Sequence, residues 1–142
     1  MAGRPVHHLD VAGLAELRRQ LEVPIAAGEH LYHLDAFRTL LEARAVDAVI
    51  LDLARVGGVT PWRKIAAVTQ AHLIPVCGHV VPEIQVHLLS AIPNGHLVEY
   101  VPRSAGILTS MPWLENGELL APPAPGLGLE LDEAAVQRHR VA

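Results

Sequence analysis

The sequence predicts an α/β fold, in which a parallel sheet of about four strands alternates with helices and an irregular tail follows. Short apolar runs alternate with amphipathic segments over the first 101 residues, as is typical of βαβ units. Turn residues separate these segments, and proline and glycine are frequent in the remainder of the chain. We therefore divide the chain into a sheet-and-helix region over residues 1–101 and a tail over residues 102–142.

The first two βα units follow in order along the chain. Apolar residues at helical spacing predict a helix from Val11 to Leu21, which Asp10 is placed to cap. The apolar run from Ile25 to Gly28 predicts a short buried strand. Asp35 is the predicted N-cap of the second helix, and residues 48–53 form the second predicted strand.

The next units are marked by capping residues and prolines. Thr60 is the predicted N-cap of a third helix that opens at Pro61 and runs to about residue 72. Residues 74–78 form the third predicted strand. A fourth helix opens at Pro82, since proline is favoured at the first helical position.

The last predicted strand and the tail complete the pattern. The turn Pro93-Asn94-Gly95 ends the fourth helix, and residues 97–101 form the fourth strand. The tail is predicted to be largely irregular, with one short helix from Asp132 to about His139.

Composition limits the kind of protein this can be. Of the 142 residues 51% are hydrophobic and 18% are charged, which predicts a globular domain with a sizeable core. The net charge of −4 gives no electrostatic reason to bind nucleic acid or an anionic membrane. A single cysteine, Cys77, fits a reducing compartment, and no apolar run is long enough to span a bilayer. We therefore expect a cytoplasmic protein that binds neither nucleic acid nor membranes.

Four polar residues stand where four apolar runs end, and they are Glu29, Asp52, His79 and Glu99. Their separations of 23, 27 and 20 residues each match about one strand plus one helix. In a barrel of parallel strands, the carboxyl ends of successive strands meet at one mouth, where the chemistry lies. The spacing therefore predicts that these four side chains share one site.

The residues alone leave two interpretations of each member. Glu29 suits a divalent cation, which prefers oxygen ligands, or is a surface acid that caps the following loop. Asp52 and His79 are an orienting carboxylate and a general acid or base, or a strand-end acid and a loop histidine. Glu99 hydrogen-bonds an oxyanion when it carries a proton, or is an isolated loop residue.

Several stretches resemble the mandelate racemase branch of the enolase superfamily. They are residues 24–29, residues 51–60, Gly78-His79, Pro93-Asn94 and Glu99-Tyr100, and the resemblance extends over residues 5–129. It implies that the chain is the C-terminal half of a (β/α)-barrel. It also implies an enzyme that removes the proton alpha to a carboxylate, while Mg²⁺ stabilises the enediolate that forms.

The resemblance also implies a role for each site residue. Glu29 matches one of three acidic Mg²⁺ ligands, and His79 matches the acid/base that Asp52 orients. Glu99 matches the residue that hydrogen-bonds the substrate carboxylate, and His30 is a further substrate contact. The substrate is thus expected to be a small carboxylate such as an acid sugar.

The segment 99–103 and His30 are more similar to acid-sugar dehydratases than to other branches. A dehydratase is therefore the expected activity. A racemase, an epimerase or a cycloisomerase of the same superfamily is the alternative.

The chain departs from the family in what it lacks. Its motifs match only the last four of eight strands, and the lysine base, the first aspartate ligand and the capping domain have no counterpart. The position of the second acidic ligand lies 26 residues before Glu29, at Gly3 in the segment Gly3-Arg4-Pro5. Mg²⁺ therefore needs further ligands from outside this chain.

A sheet of four barrel strands leaves two open edges, which favour pairing with another chain. We expect the isolated chain to be inactive and to associate with a second copy or with a missing barrel half. A non-catalytic half barrel that acts through such an assembly is the alternative.

Overall fold

A computed structural model of the chain describes residues 1–3 and 6–141. Five strands form one parallel sheet, and they are β1 Ala2–Gly3, β2 Ile25–Ala27, β3 Ala48–Asp52, β4 Val76–His79 and β5 Gly95–Val98. The helices are α1 Val11–Gln20, α2 Leu34–Glu42, α3 Val59–Ala71, α4 Pro82–Ser90 and α5 Glu133–His139. The strands lie in the sheet in chain order, as they do when each helix returns the chain to the next parallel strand.

The two faces of the sheet carry side chains of different size, because successive strand residues point to opposite faces. On one face, strand residues such as Val49, Leu51 and Val76 pack in the main core with Leu14, Phe37 and Trp62 of the helices. On the other face lie Ala26, Ala48 and Cys77, with Ile50 packed against them. The helices thus cover one face of the sheet, and small side chains line the other.

The order and type of the predicted elements are confirmed, the sheet contains one strand more than predicted, β1, and two helix starts are corrected. Helix α1 begins after Asp10, whose carboxylate accepts a hydrogen bond from the Gly13 N–H at 2.8 Å. Helix α4 opens at Pro82 as predicted. The predicted N-cap Asp35 lies instead in the first turn of α2, and the predicted N-cap Thr60 lies inside α3.

Backbone conformation explains both corrections. His33 has extended dihedral angles and occupies the N-cap position of α2 without a side-chain hydrogen bond. Gly58 has a φ of 105° and occupies the N-cap position of α3, so the chain turns into the helix before Thr60. Strand β5 also begins earlier than predicted, at Gly95, and ends before Glu99.

The tail contains more regular structure than the sequence analysis predicted. Strands β6 Trp113–Glu115 and β7 Glu118–Leu120 form an antiparallel hairpin. Its turn residues Asn116 and Gly117 both have positive φ, which is the signature of a tight hairpin turn. The C-terminal helix α5 follows Asp132, whose side chain accepts from the Ala135 N–H, as predicted. The division into regions at residue 102 stays a prediction.

None of the helices in the described part of the chain combines the length and the apolar character needed to cross a membrane.

Gly28 brings β2 close to β3 immediately before Glu29. Its φ is 133°, a conformation that residues with a side chain rarely adopt. A Cβ atom at this position would lie 2.6 Å from the Ile50 carbonyl oxygen and 3.1 Å from the Phe37 ring. Glycine is therefore required for the backbone that carries Glu29 to approach the neighbouring strand.

We predict that Gly28→Ala lowers the free energy of unfolding by about 1–3 kcal/mol, because the new methyl group meets backbone and the φ is unfavourable. Urea denaturation of the chain measures this. Gly106→Ala is the control, since a Cβ at Gly106 meets nothing within 4 Å. We expect that control to change stability by less than about 0.5 kcal/mol. Equal effects of the two substitutions would contradict the assignment.

Candidate active site

A hydrogen bond between Asp52 and His79 lies at the carboxyl ends of β3 and β4. The parallel register places Asp52 directly beside His79, so both side chains leave the same face of the sheet. Nδ1 of His79 lies 2.6 Å from Oδ2 of Asp52. An ionised carboxylate only accepts hydrogen bonds, so Nδ1 carries the proton and donates it. Nε2 is then the ring nitrogen that remains for chemistry.

Asp52 is held as an anion although only 4% of it is exposed. Burial is the largest single influence on the pKa of its carboxyl group and acts to raise it. The backbone N–H of Arg55, the His79 ring and the charge of Arg55 act together in the opposite direction. Their sum places the Asp52 pKa below its usual value.

Arg55 connects the end of β3 to the end of β2. Its backbone N–H donates to Oδ1 of Asp52 at 2.8 Å, and its Nη1 atom lies 3.5 Å from Oδ2. The same Nη1 donates to the backbone carbonyl of Glu29 at 2.7 Å. One guanidinium therefore fixes the loop of Glu29 relative to the Asp52 carboxylate.

Glu99 approaches the same histidine from the residue that follows β5. Its Oε2 atom lies 3.7 Å from Nε2 of His79 and accepts a hydrogen bond of 3.1 Å from the backbone N–H of Val80. The carboxylate is half exposed. Glu99 thus lies beside the ring nitrogen that Asp52 leaves available.

The turn after His79 has an unfavourable backbone conformation. Val80 has a φ of 45° and Val81 a φ of 40°, in the left-handed region that β-branched residues rarely occupy. Two such residues in succession persist only when their surroundings hold them. This turn connects His79 to the start of α4.

The five residues that the sequence analysis selected lie around one cavity of about 690 Å³. Glu29, His30, Asp52, His79 and Glu99 all line it, and Arg55 and Arg103 line it as well. The structure therefore brings the predicted residues together, while the role of each stays a prediction. Neither arginine was among the predicted site residues. No sequence pattern singles out Arg55, because its contact with the Glu29 carbonyl joins the ends of two different strands.

The described residues do not form a complete magnesium site. No group of three or more histidine, cysteine, aspartate or glutamate side chains among them is arranged to hold a metal ion. The expected position of a second acidic ligand is Gly3, which has no side-chain oxygen, and its neighbours Arg4 and Pro5 lie outside the described residues. Mg²⁺ requires near-octahedral oxygen ligands, so Glu29 needs partners from elsewhere.

Cys77 lines the same cavity but is not placed to act as a nucleophile. Burial raises the pKa of its thiol, and the Leu97 backbone N–H opposes this effect only in part. A neutral thiol is a poor nucleophile. The chemistry available in the cavity is therefore that of the imidazole and the carboxylates.

Known proteins match both the sequence and the structure. The family model described as enolase C-terminal domain-like matches residues 4–135. A D-xylonate dehydratase of Haloferax volcanii is 39% identical over 127 residues, which are 83% of this chain and 31% of that protein. An L-talarate/galactarate dehydratase of Salmonella typhimurium is 30% identical over 92% of this chain and 33% of its own length. The chain thus spans about a third of the length of these relatives.

Solved structures extend the match to nearly the whole chain. An enolase from Bradyrhizobium, complexed with magnesium and mandelic acid, superimposes with a TM-score of 0.91 and 34% identity over 99% of this chain and 38% of its own. An L-talarate dehydratase from Polaromonas, complexed with Mg and L-glucarate, gives a TM-score of 0.89 and 32% identity over 95% of this chain and 38% of its own. Both structures contain magnesium and a carboxylate ligand.

We predict that Asp52→Asn destabilises the chain at neutral pH by about 1–3 kcal/mol, because a hydrogen bond to a charged group is lost. The contribution of a carboxyl with a lowered pKa is present above its ordinary pKa, about 3.9, and disappears as the pH falls through the lowered value. The stability difference between the two proteins should therefore shrink in acid. Urea denaturation at pH 7 and at about pH 2 measures it.

The matched control for this experiment is Asp35→Asn, which changes an exposed aspartate on α2. It should alter stability by less than about 0.5 kcal/mol at either pH. A difference between wild type and Asp52→Asn that is equally large at both pH values would contradict the role of the Asp52 charge.

Proposed function

The chain belongs to the enolase C-terminal domain-like family, and from this premise we propose that it is the C-terminal part of a Mg²⁺-dependent acid-sugar dehydratase. The proposed reaction begins with removal of the proton alpha to a carboxylate. One observation carries the proposal, namely the 2.6 Å hydrogen bond between His79 and Asp52, with Nε2 available at a polar cavity. The relatives named as acid-sugar dehydratases support the substrate class.

His79 is the proposed acid and base. Because Nδ1 donates to Asp52, Nε2 has the lone pair that accepts the alpha proton. The imidazolium that results is stabilised by the ionised Asp52 carboxylate beside it. The proton on Nε2 can then pass to a departing beta hydroxyl, which leaves as water, and this completes a dehydration.

Two further residues are proposed to bind the substrate. Glu99 lies 3.7 Å from Nε2 of His79, so a carboxylate bound next to the reacting carbon comes within reach of it. In the form that carries a proton, Glu99 donates a hydrogen bond to a substrate oxygen. His30 lines the opposite side of β3 from His79 and adds a second polar contact.

Glu29 is proposed as one magnesium ligand of the assembled enzyme. Magnesium in the solved relatives supports this assignment. The ligands that complete the site are proposed to come from outside this chain, since the residues the structure describes provide no set that fits the ion. The proton transfers described above use only the side chains of this chain.

Related activities remain within the proposal as its alternative. A 3,6-anhydro-alpha-L-galactonate cycloisomerase of Streptomyces coelicolor is 30% identical over 124 residues. A racemase, an epimerase and a cycloisomerase share the first proton removal and differ in the fate of the intermediate. The resemblance of segment 99–103 and His30 to acid-sugar dehydratases supports the dehydratase over these alternatives.

A second candidate function is a non-catalytic half barrel that acts by assembly. Two observations favour it. The sheet ends at β1 on one side and β5 on the other, so both are edge strands. The single lysine of the sequence, Lys64, lies exposed on α3 and does not line the cavity, so this chain brings no lysine base to the site.

The catalytic proposal is tested in a chimera, in which this chain replaces the matching third of the Haloferax volcanii D-xylonate dehydratase. We expect the chimera to dehydrate D-xylonate and to exchange the alpha proton with D₂O. His79→Asn should lower both rates by about 10²–10⁴-fold, the usual contribution of a general acid or base.

The control is His72→Asn, because His72 follows α3 and its ring bonds to the Val68 backbone carbonyl at 3.0 Å, away from the cavity. It should leave both rates within about twofold of the unsubstituted chimera. Alpha-proton exchange at the unsubstituted rate in His79→Asn would refute the assignment of His79.

Assembly is tested by analytical ultracentrifugation of the 142-residue chain. If the open sheet edges pair, we expect a sedimentation coefficient that rises with protein concentration toward that of a dimer. Equimolar addition of the N-terminal two thirds of the Haloferax volcanii relative should then produce a 1:1 complex. A monomer that binds no such partner would exclude the assembly function.

A further inference from the structure

We propose that Gln85 of α4 is a positioning residue that sets the geometry of the Asp52–His79 pair. Its part in catalysis rests on the function proposed above, whereas its effect on the pair itself does not. Gln85 contacts the backbone of both strands that carry the pair, at the point where each strand ends. No feature of its sequence position had selected it.

The amide of Gln85 bridges β3 and β4. Its Nε2 atom donates to the Leu51 carbonyl at 2.9 Å and to the His79 carbonyl at 3.2 Å. Leu51 immediately precedes Asp52, so the two hydrogens of one nitrogen bind the backbone beside both members of the pair. The side chain is fully buried, with 0% exposed, so water does not compete for these bonds.

Gln85 also fits closely against the residue before His79. A Cβ atom at Gly78 would lie 2.9 Å from Cδ of Gln85 and 3.0 Å from its Cβ. The bare backbone of Gly78 therefore leaves the space that the glutamine side chain fills. This contact limits the positions the amide can take and directs it at the two carbonyls.

The turn after His79 makes this support necessary. Val80 and Val81 both have left-handed φ values that are unfavourable for β-branched residues. Gln85 holds the turn twice, through its side chain on the His79 carbonyl and through its backbone N–H on the Val81 carbonyl at 3.0 Å. Without the side-chain bond, we expect the turn to relax and the His79 ring to move relative to Asp52.

Stability alone does not account for a glutamine here. Its Oε1 atom is buried and has no hydrogen-bond partner among the described residues, which is unfavourable in an interior. An apolar side chain of similar size would avoid this penalty. The two bonds of Nε2 at the strand ends are the contribution that an apolar side chain cannot make.

The test is proton NMR of the full 142-residue chain, labelled with ¹⁵N. The proton on Nδ1 of His79 should give a downfield resonance, because it lies in a short hydrogen bond to a carboxylate. His79→Asn removes the resonance and so assigns it. We expect Gln85→Met to shift this resonance upfield or to lose it through exchange with water.

The matched control is Thr69→Val. Thr69 is also fully buried and hydrogen-bonded, but its partners are Ala66 and Asn94, away from the pair. This variant loses buried hydrogen bonds as Gln85→Met does, and its His79 resonance should stay at the wild-type position. A shift in both variants would reveal a general loss of structure and overturn the positioning role.

A folded Gln85→Met variant with an unchanged resonance would also overturn the proposal. If Gln85→Met does not fold, Gln85→Asn replaces it, because the shorter side chain keeps the amide and cannot reach both carbonyls. The same shift is expected there, and its absence has the same meaning. The NMR measurement does not depend on enzymatic activity, so its outcome is separate from that of the D-xylonate experiment.

In the chimera, Gln85→Met should lower kcat and leave KM unchanged.

Discussion

The hydrogen bond between Asp52 and His79 requires β3 and β4 to end in register, and much of the chain contributes to that register. The strand partners run from Val49 with Val76 to Asp52 with His79 without a shift. A slip by one residue would turn one of the two side chains to the helix-covered face. The apolar core on that face prevents such a slip, since Val49, Leu51 and Val76 are all buried there.

The division of the sheet into two faces explains why the site lies where it does. Large side chains and the helices cover one face, while Ala26, Ala48 and Cys77 leave room on the other. At the carboxyl ends, this open face continues into the cavity that holds the polar residues. The same alternation of strand residues therefore produces a stable core and a concave site.

Sequence patterns predicted the elements that depend on neighbouring residues. They failed where contacts between distant parts of the chain determine the local structure. The cap Asp10, the helix start at Pro82 and the four strand-end residues follow from local chemistry and spacing. Asp35 and Thr60 have good capping side chains, yet the backbone enters α2 and α3 before it reaches them. The hairpin turn Asn116-Gly117 carried a local signal that the proline-rich composition of the tail obscured.

Arg55 and Gln85 were beyond such patterns, because their function depends on contacts between elements. Gln85 lies 34 residues from Leu51 along the chain and Arg55 lies 26 residues from Glu29. Only the folded sheet brings each side chain to its partner. A long polar side chain on a helix is ordinarily solvated, so the sequence gives no reason to place this glutamine in the core.

The acid/base pair and the metal site differ in how far this chain determines them. Among the described residues, the hydrogen bonds that orient Asp52 and His79 come from β3, β4, α4 and the turn of Arg55, and Glu99 adds a contact from the residue after β5. Glu29, in contrast, is one carboxylate of a set that the described residues do not complete. The energetics follow this division, because the buried Asp52 carboxylate needs its hydrogen-bond partners in place as the sheet forms, whereas a hydrated cation can be added later. The pair can therefore form within this chain before the rest of the site is supplied.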